Sequence, residues 1–203
     1  MNEWMIVRRF ACRIGATGDA RLARALDGWA EAHAEWLGLD ETRDWTVARE
    51  ALTRADETDA PHVLAVAQVL AQALALDPFD AELLRLLVAT DRLPRVASLA
   101  KLWSEQGRDL PGLLGELAGA SAVDADRAVR RSAAVRLGLA SFYANRQGLI
   151  EVDIRWPLER LLDRAAAEKA SVVATLVGAH QPARLTRDDF AHVNDAAFLT
   201  RLL

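Results

Sequence analysis

Apolar residues recur three to four positions apart along most of the chain, Asp and Pro stand where helices would begin, and a single stretch near 149–154 alternates with period two. Together these predict a mainly α protein, with an N-terminal helical region over 1–76, a winged helix-turn-helix-like module with one β-hairpin over 77–165, and a C-terminal helical segment over 166–203. An all-α bundle carrying one hairpin is the competing reading of the same pattern.

Met5-Ile6-Val7 could open a short strand, and Gly15-Ala16-Thr17-Gly18 reads as a loop. Asp19 suits a helix cap before Leu22, Leu26 and Trp29, and that helix should end near Gly38. Asp44 or Thr46 caps a short helix with Val47 and Leu52. Pro61 is placed as a first helical residue before the apolar run Val63 to Leu76. Asp77-Pro78 opens another helix, 94–106 forms the next, and Asp109-Leu110-Pro111 starts a short one that stops at Gly119. Asp124 caps a helix over about 125–134, joined to its predecessor by a tight Gly119-containing turn. Val135 to Phe142 and Leu149 to Ile154, around Asn145-Arg146-Gln147-Gly148, form the hairpin. Pro157 returns the chain to a helix, followed by helical stretches over 168–178 and 188–203 on either side of Gln181-Pro182.

At 203 residues, 52% hydrophobic and 27% charged, the chain has material for a packed core and carries no signature of global disorder. No apolar run reaches the roughly 18 residues of a membrane span, and Glu3 with Arg8-Arg9 interrupts any signal-peptide pattern. Cys12 is alone, which excludes an intrachain disulfide and a multi-cysteine metal site; the expected compartment is the cytoplasm.

Nucleotide chemistry is tested by the lysines. A phosphate loop needs a lysine directly after its glycines, and the two lysines here, Lys101 and Lys169, follow Leu99-Ala100 and Ala167-Glu168. The four histidines show no metal-ligand spacing, and no serine sits in a Gly-x-Ser-x-Gly context. No catalytic, cofactor-binding or metal residue is therefore assigned, and the chain itself is expected not to be an enzyme.

Charge is segregated within a net of −4: residues 27–60 hold ten acids and three bases, whereas 127–150 hold five arginines and no acid. Arg127, Arg130 and Arg131 fall at i, i+3, i+4, where a recognition helix would meet nucleic acid or a partner, and Arg146 falls at the wing tip. Asp124 and Asp126 oppose phosphate at the same end. Trp29, Trp36 and Trp45 are too many for one small helix pair to bury, and so form a candidate partner surface.

Leu76-Asp77-Pro78-Phe79-Asp80-Ala81-Glu82-Leu83-Leu84 resembles the Leu-x-Pro-Phe-Glu-x-x-Leu-Leu segment in the N-terminal region of certain bacterial AAA+ ATPases. In that family a winged-helix module follows, with a segment similar to Ser132-Ala133-Ala134-Val135-Arg136-Leu137-Gly138-Leu139. A Leu-rich helix like Leu158 to Asp163, a stretch similar to Leu176-Val177-Gly178 and an element like Asp188-Asp189-Phe190-Ala191-His192 come next, in the same order. The resemblance covers about 76–195; residues 1–60 resemble nothing named. In the family the phosphate loop and ATPase core begin shortly beyond the last element, and here the sequence stops at Leu203. The resemblance implies a non-catalytic regulatory or partner-recognition region of a AAA+ ATPase. ATP and Mg²⁺ would belong to the absent core, and the partners would be a protein, that core or neighbouring subunits. A stand-alone winged-helix DNA-binding regulator is the alternative, and a membrane partner is not expected.

Overall fold

The computed structural model describes residues 2–39, 44–54 and 60–177. The chain opens with α1 (Glu3–Gly15), where Asn2 caps the Met5 amide and Ile6, Val7, Phe10, Ala11 and Ile14 form one buried stripe. The strand expected at Met5-Ile6-Val7 is thereby corrected: the three-to-four spacing extends through Ile14, and this period outweighs the local β-branched pair. Asp19 caps α2 (Ala20–Ala32), and turns carry the chain from His33 to Gly38, so this helix ends six residues before its expected stop. The short α3 (Trp45–Arg54) follows, with Asp44 accepting from the Thr46 amide. Pro61 stands as the cap of α4 (His62–Ala73) rather than as its first residue.

Asp77 and Pro78 open α5 (Pro78–Arg92) as the pattern requires, with Asp77 accepting from the Asp80 amide at 2.8 Å. Then come α6 (Pro94–Glu105), α7 (Leu110–Leu117) capped by Asp109, and α8 (Ala125–Arg131). Ser132 breaks the helix expected over 125–134 and caps α9 (Ala133–Arg136). Four residues assigned to the hairpin, Val135 to Gly138, lie in α9 and its closing turn, because Leu139 N–H returns to the Ala134 carbonyl through Gly138 at φ +66°. The hairpin is β1 (Ala140–Ala144) and β2 (Ile150–Ile154), antiparallel, with Phe142 opposite Val152. Two helices complete the described residues, α10 (Trp156–Arg164) and α11 (Lys169–Val177). The helix expected over 188–203 and the Gln181-Pro182 loop lie outside them.

One helix organises the rest. Leu83, Leu84, Leu86, Leu87, Val88 and Ala89 of α5 are all fully buried, so this helix is covered around most of its circumference. α4, α6, α7, α9 and β2 pack on it, and α1 reaches it from the N-terminal side. At roughly 1.5–3 kcal/mol per large apolar side chain, this burial is the main local source of stability. The polar positions of α5 fasten the same neighbours. Glu82 pairs with Arg9 of α1, Arg85 donates to Gln68 of α4 at 2.7 Å, and Arg92 lies 3.4 Å from Asp163 of α10. The boundary expected at 76/77 separates α4 from α5, which pack against each other within a single core running from Ile6 to Val172.

The α7–α8 pair is set by Gly115. A Cβ there would lie 2.5 Å from the Ala125 carbonyl oxygen, so only glycine lets the two backbones approach this closely. The connection between them occupies residues 118–124, with Gly119 at φ +106° and a second turn closed from Asp124 N–H to the Ser121 carbonyl. The tight turn expected around Gly119 is thus two successive turns, longer than the three or four residues of a helix-turn-helix connection.

Gly115→Ala forces α7 and α8 apart and should cost about 1–3 kcal/mol in urea denaturation. Gly28→Ala, whose Cβ meets nothing within 4 Å inside α2, should gain about 0.5–1 kcal/mol.

Candidate functional site

α8 turns Ala125 and Val129 inward and leaves Arg127 and Arg131 on its opposite, exposed face. Arg130 does not join them. Its Nε donates to both carboxylate oxygens of Asp126 at 2.9 Å, and that bond raises the guanidinium pKa. Asp109 faces the same pair from the start of α7. Burial pushes its carboxyl above the usual range, the Asp126 charge adds to the effect, and the Gly112 N–H and Arg130 oppose it. Arg146 sits exposed at the hairpin tip, where Asn145 Oδ1 accepts from the Gln147 and Leu149 amides and Gly148 takes φ +79°. Among the described residues Arg127, Arg131 and Arg146 make no ion pair, whereas the Arg130 charge is spent on Asp126.

Trp29, Trp36 and Trp45 are engaged within the fold. Trp29 is 5% exposed, donates from Nε1 to Ser98 Oγ at 2.8 Å and stacks on His33. Its place in an expected partner surface is corrected: α6 covers it. Trp36 is half-buried, stacked on Trp4 at 3.9 Å between centroids, with the Arg95 guanidinium 4.4 Å from its ring. Trp45, also half-buried, packs its indole on Gly15, and its amide donates to Asp27 Oδ1. A single helix pair could not bury them, but α1 and α6 supply the missing surface. The exposed tryptophan is Trp156, at 67%, with the Arg160 guanidinium 5.7 Å from its ring. Sequence reasoning passed over it, although the signal was present: the apolar stripe of α10 is Leu158, Leu161 and Leu162, which leaves Trp156 on the far side of the helix.

A cleft of about 290 Å³ lies between the hairpin and the α5–α6 corner. Ala97, Ala100, Leu110, Leu149, Ile150 and Val152 give it an apolar lining, and Asp91, Lys101, Tyr143 and Glu151 its polar groups. Ser104 Oγ donates to the Ile150 carbonyl at 3.0 Å and fixes β2 against α6. Glu151 accepts from the Tyr143 hydroxyl at 2.6 Å and from the Asn145 side-chain amide, two neutral donors. It makes no ion pair among the described residues. The bond to Glu151 raises the Tyr143 pKa. Burial pushes the Asp91 carboxyl above its ordinary value against the pull of Arg92, and the charges of Asp153 and Glu159 push it further. Asp91 also stands in the last turn of α5, the negative end of the helix dipole.

Among the described residues no group of three His, Cys, Asp or Glu side chains is placed to hold a metal ion, and no helix is long and apolar enough to cross a membrane. These features define a helical chain that presents a basic helix, an exposed tryptophan and an acid-rimmed cleft. Compared with protein-family models, characterised proteins and solved structures, the chain matches none.

Because its folded-state pKa is raised, the Asp91 carboxyl favours the folded state below the unfolded value of about 3.9, and this contribution is lost as pH rises through the folded value. Asp91→Asn should therefore raise the melting temperature at pH 7, and the gain over the parent should shrink to nothing in melts recorded towards pH 3.

Proposed function

We propose that the chain is a non-catalytic partner-recognition region standing N-terminal to a AAA+ ATPase core and acting in the cytoplasm. Residues 77–165 would serve as its winged-helix-like module. The support is the ordered resemblance over 76–195 together with the outer surface of that module. Val123 is 96% exposed, Leu137 57% and Tyr143 46%, and Trp156 projects beside them in sequence. Exposed aromatic and aliphatic side chains with arginines between them are the composition of protein-binding surfaces, where Trp, Tyr and Arg carry most of the energy. These four exposed apolar side chains, spread over 123–156 in the sequence, carry the reading. In this mechanism the surface binds a substrate protein, an adaptor or a neighbouring subunit, and ATP and Mg²⁺ act in the core, whose nucleotide state rearranges the presented surfaces.

Arg127, Arg131 and Arg146, exposed and without ion partners among the described residues, favour a second reading as a DNA-binding regulator. Against it stand the carboxylates of Asp109, Asp124 and Asp126 around the start of α8 and the pairing of Arg130.

Material purified natively from source cells with an antibody to this segment should hydrolyse ATP and show a polypeptide well above 22.2 kDa, whereas recombinant 1–203 should not hydrolyse ATP. A native 22.2 kDa species without associated ATPase activity overturns the first reading. The second predicts duplex binding whose log–log salt slope is about −3, roughly −0.9 for each of three phosphates. Binding that ignores salt removes it.

A further inference from the structure

The cleft between the hairpin and the α5–α6 corner combines a defined volume, an apolar lining, an aromatic ring and two carboxylates, of which Glu151 makes no ion pair among the described residues and Asp91 shares its cation. We propose that it is a socket for one basic side chain, an arginine or lysine presented by a protein partner. This rests on the partner-recognition reading and gives that partner a chemistry.

Each part of the socket matches part of such a side chain. The aliphatic stem of Arg or Lys needs apolar walls, which Ala97, Ala100, Leu149 and Val152 provide. The charged head needs carboxylates that are not already neutralised. Among the described residues Glu151 is held by the Tyr143 hydroxyl and the Asn145 amide, two neutral donors that orient its oxygens and add no positive charge. Asp91 does pair with Arg92, at 2.9 Å, but Arg92 also faces Glu159 and Asp163. One guanidinium therefore serves three carboxylates, and the Asp91 carboxyl, pushed above its ordinary value by burial and then by the Asp153 and Glu159 charges, is only partly offset by Arg92. The α5 carboxyl end adds further negative potential, and the Tyr143 ring, 46% exposed, offers a face for a cation. Lys101, the one cation lining the cleft among the described residues, lies 3.7 Å from Glu105 with its side chain 64% exposed, and so points its charge toward that partner at the rim. Its presence sets the sign of one test: removing Lys101 should strengthen binding.

The probe is the peptide acetyl-Ala-Arg-Ala-amide, with citrulline replacing Arg as the neutral isostere, titrated into ¹⁵N-labelled protein and followed by amide shifts. The arginine peptide should give saturable shifts confined to residues 90–104 and 143–152, while the citrulline peptide gives none. Asp91→Asn and Glu151→Gln remove the charge at nearly constant shape and keep one of the two acceptor oxygens, with the fold checked by the unperturbed remainder of the spectrum. Each should weaken binding about tenfold, the loss of one charge-assisted hydrogen bond. Lys101→Gln should tighten it. Equal binding of the two peptides, no saturable shift at the cleft, or weaker binding by Lys101→Gln overturns the proposal. If the cleft fails while native material still carries ATPase activity, only the socket is wrong; if that activity is also absent, the partner-recognition reading falls separately.

Discussion

Among the described residues, six elements are drawn together by the desolvation of one helix. Six consecutive or near-consecutive side chains of α5 are excluded from water, which no single partner element could achieve, so helices from both sides and one strand must close on it together. The hydrophobic gain has no direction of its own. Direction comes from the few polar residues of α5, each committed to a different neighbour: Glu82 to α1, Arg85 to α4, Asp80 to α9 and Arg92 to α10. A helix with the same apolar residues and neutral surface positions would bury equally well in several orientations. These four contacts choose among them.

Most elements of this fold can be read from local chemistry, because their starts are written in Asp, Asn and Pro. Asp19, Asp77 and Asp109 cap where expected, and the hairpin turn is marked by Asn145 and Gly148. The misreadings share a cause: a short window overruled a longer period. Ile6-Val7 looks like strand in three residues and like helix in ten, and Val135 looks like strand until Gly138 turns the chain back on α9. The break at Ser132 has a local part, the Ser132 hydroxyl accepting the Val135 amide, and a part no short window shows, Asp80 from far away in sequence accepting the Ala133 amide.

Candidate residues were legible by type and not by availability. Arginines at i, i+3, i+4 share a surface, but whether each keeps its charge depends on the acid one turn earlier, and Asp126 removes Arg130 from the set. Three tryptophans exceed the burying capacity of α2 and α3, yet α1 and α6 converge on the same place through long-range contacts that no spacing rule reports. The cleft was invisible for the same reason. Its carboxylates come from α5 and β2, whose meeting is a property of the assembled core.

The hydrogen bond from the Ala133 amide to Asp80 has a mechanical meaning. It joins the hinge between α8 and α9 to the innermost helix, so the basic segment is not a free arm. Swinging α8 outward would strand a part-buried donor and a carboxylate, at about 1–3 kcal/mol, before any new contact formed. A binder that leaves α8 in place meets a rigid, preset face, and one that displaces it must first loosen the anchor. The Asp80 carboxylate thus acts as a latch, converting motion at the surface into strain at the core.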